Sequence, residues 1–451
     1  MKQKLSARQL CLVGSMLFGL FFGAGNLIFP LILGGRAGMR LTSALAGLLV
    51  TAVGIPLLGI ISIGVSRSDG LIDLSQRVSK RFCYLFTCAL YLTIGPLFAI
   101  PRCAATSFTI GVTPFVGGST VLPQLIFTAL FFGAVLFFSL RPSKILDSVG
   151  RFLNPAFLIF LGILLITAIM KPVNSASSVP PVGDYSGSSF FAGFLQGYDT
   201  LDALASLAFG IIVIRTIMNL GVDEPSAVAG NTVRAGIVSM ALMALIYAVT
   251  ALVGAQSCGL YAQHLADPAF NGGDAFAIIA QHYFGKVGNL ILAVTVTLCC
   301  MKTAIGLVTA CGETFTELFP GKMDYSKWAV IFTGVSFLIS NIGLSQIIEL
   351  SAPVLYFLYP IAIVLILLGI FGNAFSHARL VYKCTMAAAL ISAIAELMRV
   401  VGGVFKPAAD WIGAWLPMYN YGLGWVIPSL LGFAVGMVLY KTKEKDKKKS
   451  L

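Results

Sequence analysis

Five polar side chains stand inside long apolar stretches of this sequence: Asn26, Arg102, Asp199, Asp202 and Lys302. Such groups are costly in an apolar surrounding and mark a cavity, an ion path or a paired partner. Asn26 belongs to the run Gly19-Leu20-Phe21-Phe22-Gly23-Ala24-Gly25-Asn26-Leu27-Ile28-Phe29-Pro30. Glycine costs about 1 kcal/mol against alanine inside a helix and proline about 3. A helix weakened in lipid is tolerable where protein or a wet cavity meets its freed amides and carbonyls. Those groups can hold a small cation or the two ends of an amino acid. A second run of the same kind is Gly193-Phe194-Leu195-Gln196-Gly197-Tyr198-Asp199-Thr200-Leu201-Asp202-Ala203-Leu204-Ala205-Ser206. If helical, Asp199 and Asp202 share a face and form an anionic patch for a cation or an amino group. Alternatively, Asp199 or Thr200 caps a half-helix whose first-turn amides Asp202 satisfies.

Arg102 follows Pro96 and Pro101. It either pairs with a carboxylate and holds a gate, or snorkels toward the headgroups. Lys302 lies too deep in its segment to snorkel with ease. It either pairs with Asp199 or Asp202, fills a cation site with its own ammonium, or sits in a wet cavity with no role. Glu396 and Arg399, three residues apart, read as a local pair.

The elements that must position these groups are membrane spans. The chain has 451 residues, 58% hydrophobic and 11% charged, against roughly 45–50% and 25% in soluble domains. Its 47 glycines fit closely packed helices. Apolar stretches of spanning length fall at 9–34, 41–65, 82–111, 121–140, 145–170, 190–218, 232–257, 287–315, 327–345, 347–372, 380–403 and 421–440. That makes an all-α polytopic membrane protein of about twelve helices. The two interrupted segments are the first and the sixth, opposite in direction. The pattern is two inverted five-helix repeats, about 9–170 and 190–372, followed by two extra helices at about 380–440. One transmembrane unit, 1–441, carries a basic tail, 442–451.

The net charge of +12 would suggest nucleic acid in a soluble protein. Here the charges sit in short loops and termini, so they report topology. Loop 66–81 carries Arg67, Arg77, Lys80 and Arg81; loop 141–151 carries Arg141, Lys144 and Arg151; loop 373–383 carries Arg379 and Lys383. Both termini are expected in the cytoplasm, in a cell membrane, with Arg36, Arg40, Arg399 and Lys406 as outer exceptions. The first apolar run is too long for a cleaved signal peptide. Loop 171–189 reads as flexible. Within 258–285, Asp274 is expected to cap a short helix, either an outer lid or a plain surface helix. Trp411, Trp415, Tyr419, Tyr421 and Trp425 read as an outer interface belt.

Nine cysteines without a C-x-x-C pair, and three histidines, argue against a metal or histidine enzyme site. The polar groups are too few and scattered for a membrane enzyme. A channel would need charged rings or a repeated filter. No nucleic-acid partner and no cofactor are expected, a sodium ion apart.

Gly23-Ala24-Gly25-Asn26-Leu27-Ile28-Phe29-Pro30, Pro101-Arg102, Gly197-Tyr198-Asp199-Thr200-Leu201-Asp202-Ala203 and Thr303-Ala304-Ile305-Gly306-Leu307 together resemble the bacterial branched-chain amino acid carriers, the BrnQ or LIVCS family. The similarity runs over essentially the whole chain. The first motif also resembles that of sodium-coupled symporters with the LeuT fold. The resemblance implies import of leucine, isoleucine and valine by alternating access, driven by sodium or protons. By position, the carbonyls of Gly19 and Phe22 with the Thr303 hydroxyl would line a sodium site. The backbone of Phe21, Gly23, Ala24 and Gly25 and the Asn26 amide would face the substrate, and Tyr198, Asp199 and Thr200 would complete the pocket. Asp202 and Lys302 join the ion-coupling set, and Arg102 is the gate. Relatives tend to have paired hydroxyl residues where this chain has Lys302-Thr303. The ammonium is therefore expected to stand in for sodium, unless it points away and ordinary sodium symport stands. Another neutral amino acid as substrate, or a sensor that does not transport, are the alternatives.

Overall fold

The computed structural model describes residues 4–66, 68, 70–116, 120–140, 158–222 and 224–449. The first span is split into α1 (Ala7–Phe21) and α2 (Ala24–Ala37). The second, α3 (Leu41–Leu49) and α4 (Ile55–Val65), is joined through a wide π-type turn over Val50–Gly54. A short α5 (Leu71–Gln76) leads to the third span, α6 (Lys80–Leu92) and α7 (Ala99–Gly111). That span bends at Gly95-Pro96, where proline removes a helical donor. Then come α8 (Val121–Leu140) and the apolar helix α9 (Leu158–Met170). The second half opens on another split span, α10 (Ser189–Gln196) and α11 (Asp202–Asn219). It continues as α12 (Pro225–Gln256), α13 (Gly272–Leu318), α14 (Tyr325–Ser340) and α15 (Leu344–Phe371). Finally, α16 (Arg379–Val401) and α18 (Val426–Lys449) flank the short α17 (Lys406–Trp415). No strand occurs among the described residues.

Packing follows an internal two-fold relation. The halves of the first split span, α1 and α2, pack on α12; the halves of the second, α10 and α11, pack on α3 and α4. Two reciprocal glycine contacts bring these backbones together. A Cβ on Gly34 would lie 1.9 Å from the Ala251 carbonyl oxygen, and one on Gly254 would lie 2.0 Å from that of Leu31. On the other side, a Cβ on Gly47 would lie 1.9 Å from the Phe190 oxygen and one on Gly193 1.9 Å from the Ala44 oxygen. Only hydrogen fits at these four positions, which is how small residues let spanning helices approach. Around this bundle, α7 packs on α13 and α8 on α14.

Several expectations change. Loop 171–189 is pinned rather than loose: Val182 N–H bonds the Arg36 carbonyl at 2.8 Å, and Asn174 Nδ2 bonds the Ala255 carbonyl at 2.9 Å. Arg40 donates to the carbonyls of Ser186 at 2.5 Å and Gly187 at 2.7 Å, so this exception to the charge rule is a loop clamp. The helix expected near Asp274 is the first part of α13, which bends at Gly285 (φ 59°). Asn271, not Asp274, is its cap: Asn271 Oδ1 accepts from Gly273 N–H at 2.8 Å, while Asp274 reaches back to Asn271 N–H at 3.1 Å. This segment is no surface helix, because Gly272 sits directly on the Ile28 backbone of α2.

The expected aromatic belt divides. Trp411 and Trp415 are exposed, whereas Tyr419 and Trp425 are buried. The segment between α16 and α18 folds as a cap onto α10, where a Cβ on Gly422 would also meet Leu195. Tyr421 stacks on Phe191 at 4.5 Å. Arg399 Cζ lies 5.4 Å from the Tyr356 ring and 5.6 Å from the Tyr419 ring. Glu396 pairs with Arg399 at 3.0 Å and accepts from Gly424 N–H at 3.0 Å. Arg67, Arg141, Lys144 and Arg151, on which the expected orientation leans, lie outside the described residues, as does the start of the 145–170 segment.

Candidate substrate and ion site

The first break is a sequence of backbone events. Phe22 (φ −69°, ψ 104°) and Gly23 (φ −138°, ψ −164°) are extended, so α1 stops and α2 restarts at once. Phe22 N–H still closes on the Phe18 carbonyl at 2.8 Å. The next amide, Gly23 N–H, would close on Gly19 but turns to Asn26 Oδ1 at 2.7 Å. The far end of α1 is thereby turned over to other partners. Asn26 Nδ2 donates to Asp202 Oδ2 at 2.9 Å and to the Tyr247 hydroxyl. That hydroxyl donates to Asp202 Oδ2 at 2.7 Å. Three buried side chains from α2, α11 and α12 thus close one ring of hydrogen bonds.

The second break ends in a left-handed residue. Residues Gly197–Thr200 form a tight turn, and Leu201 has φ 66° and ψ 4°. For a non-glycine residue this costs on the order of 1–2 kcal/mol, which the packed surroundings of Leu201 sustain. Asp199 and Asp202 therefore do not share a helical face. Asp199 Oδ2 accepts from Gln196 Nε2 at 2.6 Å, while Asp202 points to Asn26 and Tyr247. The Thr200 hydroxyl bridges the turn, donating to the Gly197 carbonyl at 2.9 Å and accepting from Asp202 N–H at 3.3 Å.

Two helix beginnings, α2 and α11, and two helix ends, α1 and α10, meet at these breaks. The beginnings favour an anion and the ends a cation. The end of α1, the beginnings of α2 and α11 and the turn before α11 border a cavity of about 50 Å³. Its polar lining includes Asn26, Arg102, Thr200, Asp202 and Thr303; Leu20, Phe21, Ile94, Phe209 and Leu307 are apolar. A water needs ~10–15 Å³ of such space, so the cavity is sized for a few waters. An aliphatic amino acid requires the surrounding helices to part.

Arg102 is 3% exposed, so it does not snorkel. Nor does it pair with a carboxylate: among the described residues none lies within ion-pair distance. Its Nη1 donates to the Asp199 backbone carbonyl at 2.6 Å, and its Cζ lies 5.1 Å from the Phe29 ring centre.

Of the residues singled out from sequence, the lining holds Phe21, Gly23, Ala24, Gly25, Asn26, Arg102, Thr200, Asp202 and Thr303. Thr303 rests against the first break, its Cγ2 3.2 Å and its Oγ1 3.5 Å from where a Cβ on Gly23 would be. Gly19, Phe22, Tyr198, Asp199 and Lys302 are outside the lining. Tyr198 instead stacks on Tyr359 at 4.1 Å, beneath the cap. Lys302 is half-buried on α13, one residue before Thr303. Sequence reasoning missed Tyr247. Its one signal was a hydroxyl inside the apolar run Leu245-Ile246-Tyr247-Ala248, where it needs a partner.

A family model described as branched-chain amino acid transport protein matches residues 6–443. The chain belongs to this family. Its members are transporters, not enzymes. A branched-chain amino acid permease, BrnQ, of Lactobacillus delbrueckii subsp. lactis is 47% identical over 442 residues, covering 96% of this chain and 97% of the relative. The BrnQ permease of Bacillus subtilis (strain 168) is 40% identical over 449 residues, covering 98% and 100%. Among solved structures, a manganese transporter of Eremococcus coleocola, bound to an aromatic bis-isothiourea compound, superposes with a TM-score of 0.59 at 10% identity. That match covers 96% of this chain and 94% of the other. It shows a shared fold: this family member is an all-helical, LeuT-like multi-pass membrane protein.

Proposed function

We propose that this protein is a secondary importer of leucine, isoleucine and valine, working as a cation symporter by alternating access across the bacterial cytoplasmic membrane. The observation that carries this reading is the convergence of two interrupted spans on one cavity with polar ends and apolar walls. The starts of α2 and α11 suit the substrate carboxylate, and the open end of α1 with Asp202 suits a cation or the ammonium. Phe21, Ile94, Phe209 and Leu307 offer the aliphatic side chain a wall. One methylene is worth only about 1–3 kcal/mol in such a wall, so the three amino acids overlap as substrates. The permeases of related bacteria named above support this substrate class.

The coupling ion is sodium, held by the Gly19 and Phe22 carbonyls and the Thr303 hydroxyl. Thr303 on the lining and Lys302 off it favour this over an ammonium in the ion's place. The moving body is α1–α4 with α10–α12, and both termini face the cytoplasm, as the basic loops suggest. The test is uptake of labelled leucine into proteoliposomes with a sodium gradient, with choline, and with a pH gradient alone. Sodium-driven accumulation, competed by isoleucine and valine, is expected. Binding without counterflow would identify a sensor, and uptake indifferent to sodium would remove the ion assignment.

A further inference from the structure

We infer that Arg102 is the anchor of the substrate carboxylate, completing an anion site between α7 and the first turn of α2. This deepens the transport reading and rests on it. A buried guanidinium needs a counter-charge or full hydrogen bonding. Arg102 lines the cavity and has no carboxylate within ion-pair distance among the described residues. Its direct contacts are a carbonyl and a ring face, and the Asp199 and Asp202 carboxylates act on it only from beyond ion-pair distance. Nη1 is held by the Asp199 carbonyl at 2.6 Å, and Phe29 supplies a ring face at 5.1 Å. The other edge turns to α2: a Cβ on Gly25 would lie 3.1 Å from Nη2.

That placement sets a cation against the positive end of a helix, which is unfavourable until an anion lies between them. The nearby Asp202 carboxylate already accepts from Asn26 and Tyr247. A ligand carboxylate entering this cavity meets the guanidinium fork on one side and the first amides of α2 on the other. Arginine is suited to such a two-oxygen partner. Gly25, having no Cβ, is the residue that lets Nη2 come this close to the first turn of α2.

The experiment compares leucine with leucinol, which keeps the ammonium and side chain but replaces the carboxylate by a hydroxymethyl group. Binding is measured on the purified full chain by calorimetry, and by competition against labelled leucine. The wild type should prefer leucine by about 100-fold, the scale expected for one buried charge-assisted anchor. Arg102→Gln should lower leucine affinity by about that factor and leave leucinol within about threefold, so that the two ligands converge. Arg102→Lys, keeping the charge without the fork, should recover part of the loss. Should Arg102→Gln fail to fold, Gly25→Ala crowds Nη2 and should narrow the same preference. A wild-type leucine-to-leucinol ratio that persists in the variants overturns the anchor, because a gate or a structural role moves both ligands alike. A wild type that binds no branched-chain amino acid overturns the transport reading, and the anchor with it.

Discussion

The Tyr247 hydroxyl and the Asn26 amide decide what Asp202 can do, since both end on the same carboxylate oxygen. Removing one partner of a buried group leaves about 1–3 kcal/mol of unmet desolvation. Asn26→Ala also frees Gly23 N–H at the first break. It should abolish labelled leucine uptake while the protein still reaches the membrane. Tyr247→Phe keeps the ring and should lower uptake at least about 10-fold, with a fall in Tm to match. Asp199→Ala should be mild by comparison, because Arg102 bonds that residue's backbone oxygen, which survives the change. Uptake at wild-type level in both Asn26→Ala and Tyr247→Phe would separate the hydrogen-bonded ring from transport. Asn26 and Asp202 were legible in sequence as polar groups without cover in apolar runs. Asp199 was not separable from Asp202 there, because the separation lies in a left-handed leucine, a conformation that this residue type rarely adopts. Tyr247 looked like any interior ring.

Among the elements, the breaks were legible and the contacts between them were not. Glycine and proline mark a weak helix from sequence alone, and each split span breaks beside a glycine, Gly23 in the first and Gly197 in the second. Nothing in a count of 47 glycines says that Gly34 faces Gly254, or Gly47 faces Gly193. Such pairing depends on helix rotation, which only packing reveals. Gly34→Ala and Gly193→Ala should each destabilise by about 1–3 kcal/mol, seen as reduced Tm and yield of folded protein. Gly334→Ala, with nothing within 4 Å of its Cβ position, should raise Tm slightly. Equal effects at all three positions would remove the close-approach argument.

A second inter-element contact joins the turn before α16 to the segment after α4. His377 Nδ1 accepts from Arg77, whose Nη2 also donates to the Ser66 carbonyl at 2.7 Å. His377 Nδ1 also lies 3.1 Å from the Tyr382 hydroxyl, and its Nε2 is 3.0 Å from Asn373 Oδ1. Burial and then the Arg77 charge push the imidazole below its ordinary value, while Asp73 pulls the other way. A base depressed in the folded state stabilises it as the neutral form. That contribution is present above the unfolded value of about 6.5 and is lost as pH falls through the lower folded one. The Tm of the wild type should therefore drop between neutral and mildly acid pH more steeply than that of His377→Gln. Parallel curves would refute the contact's role.

At the scale of the whole molecule, the places of the two interrupted segments, one opening each half of the chain, were readable from the sequence. The cap was not, because Tyr419 and Trp425 have the composition of an interfacial belt yet are buried. Burial of those rings depends on a fold-back that leaves no local pattern. Deleting residues 379–451 should give a chain that neither transports leucine nor stays monodisperse, although both split spans and the cavity lining would remain. A truncated chain that still accumulates leucine would show the cap to be ornamental. The cap covers α10 through Phe191 and leaves a buried tryptophan beside the Tyr198 hydroxyl. Its symmetry mate, α1, carries no such cover among the described residues. The two doorways of an otherwise mirrored machine are thus hung differently. Under the alternating access proposed above, only the capped side must shed a cover before it opens, so the empty protein should rest with its other side ajar.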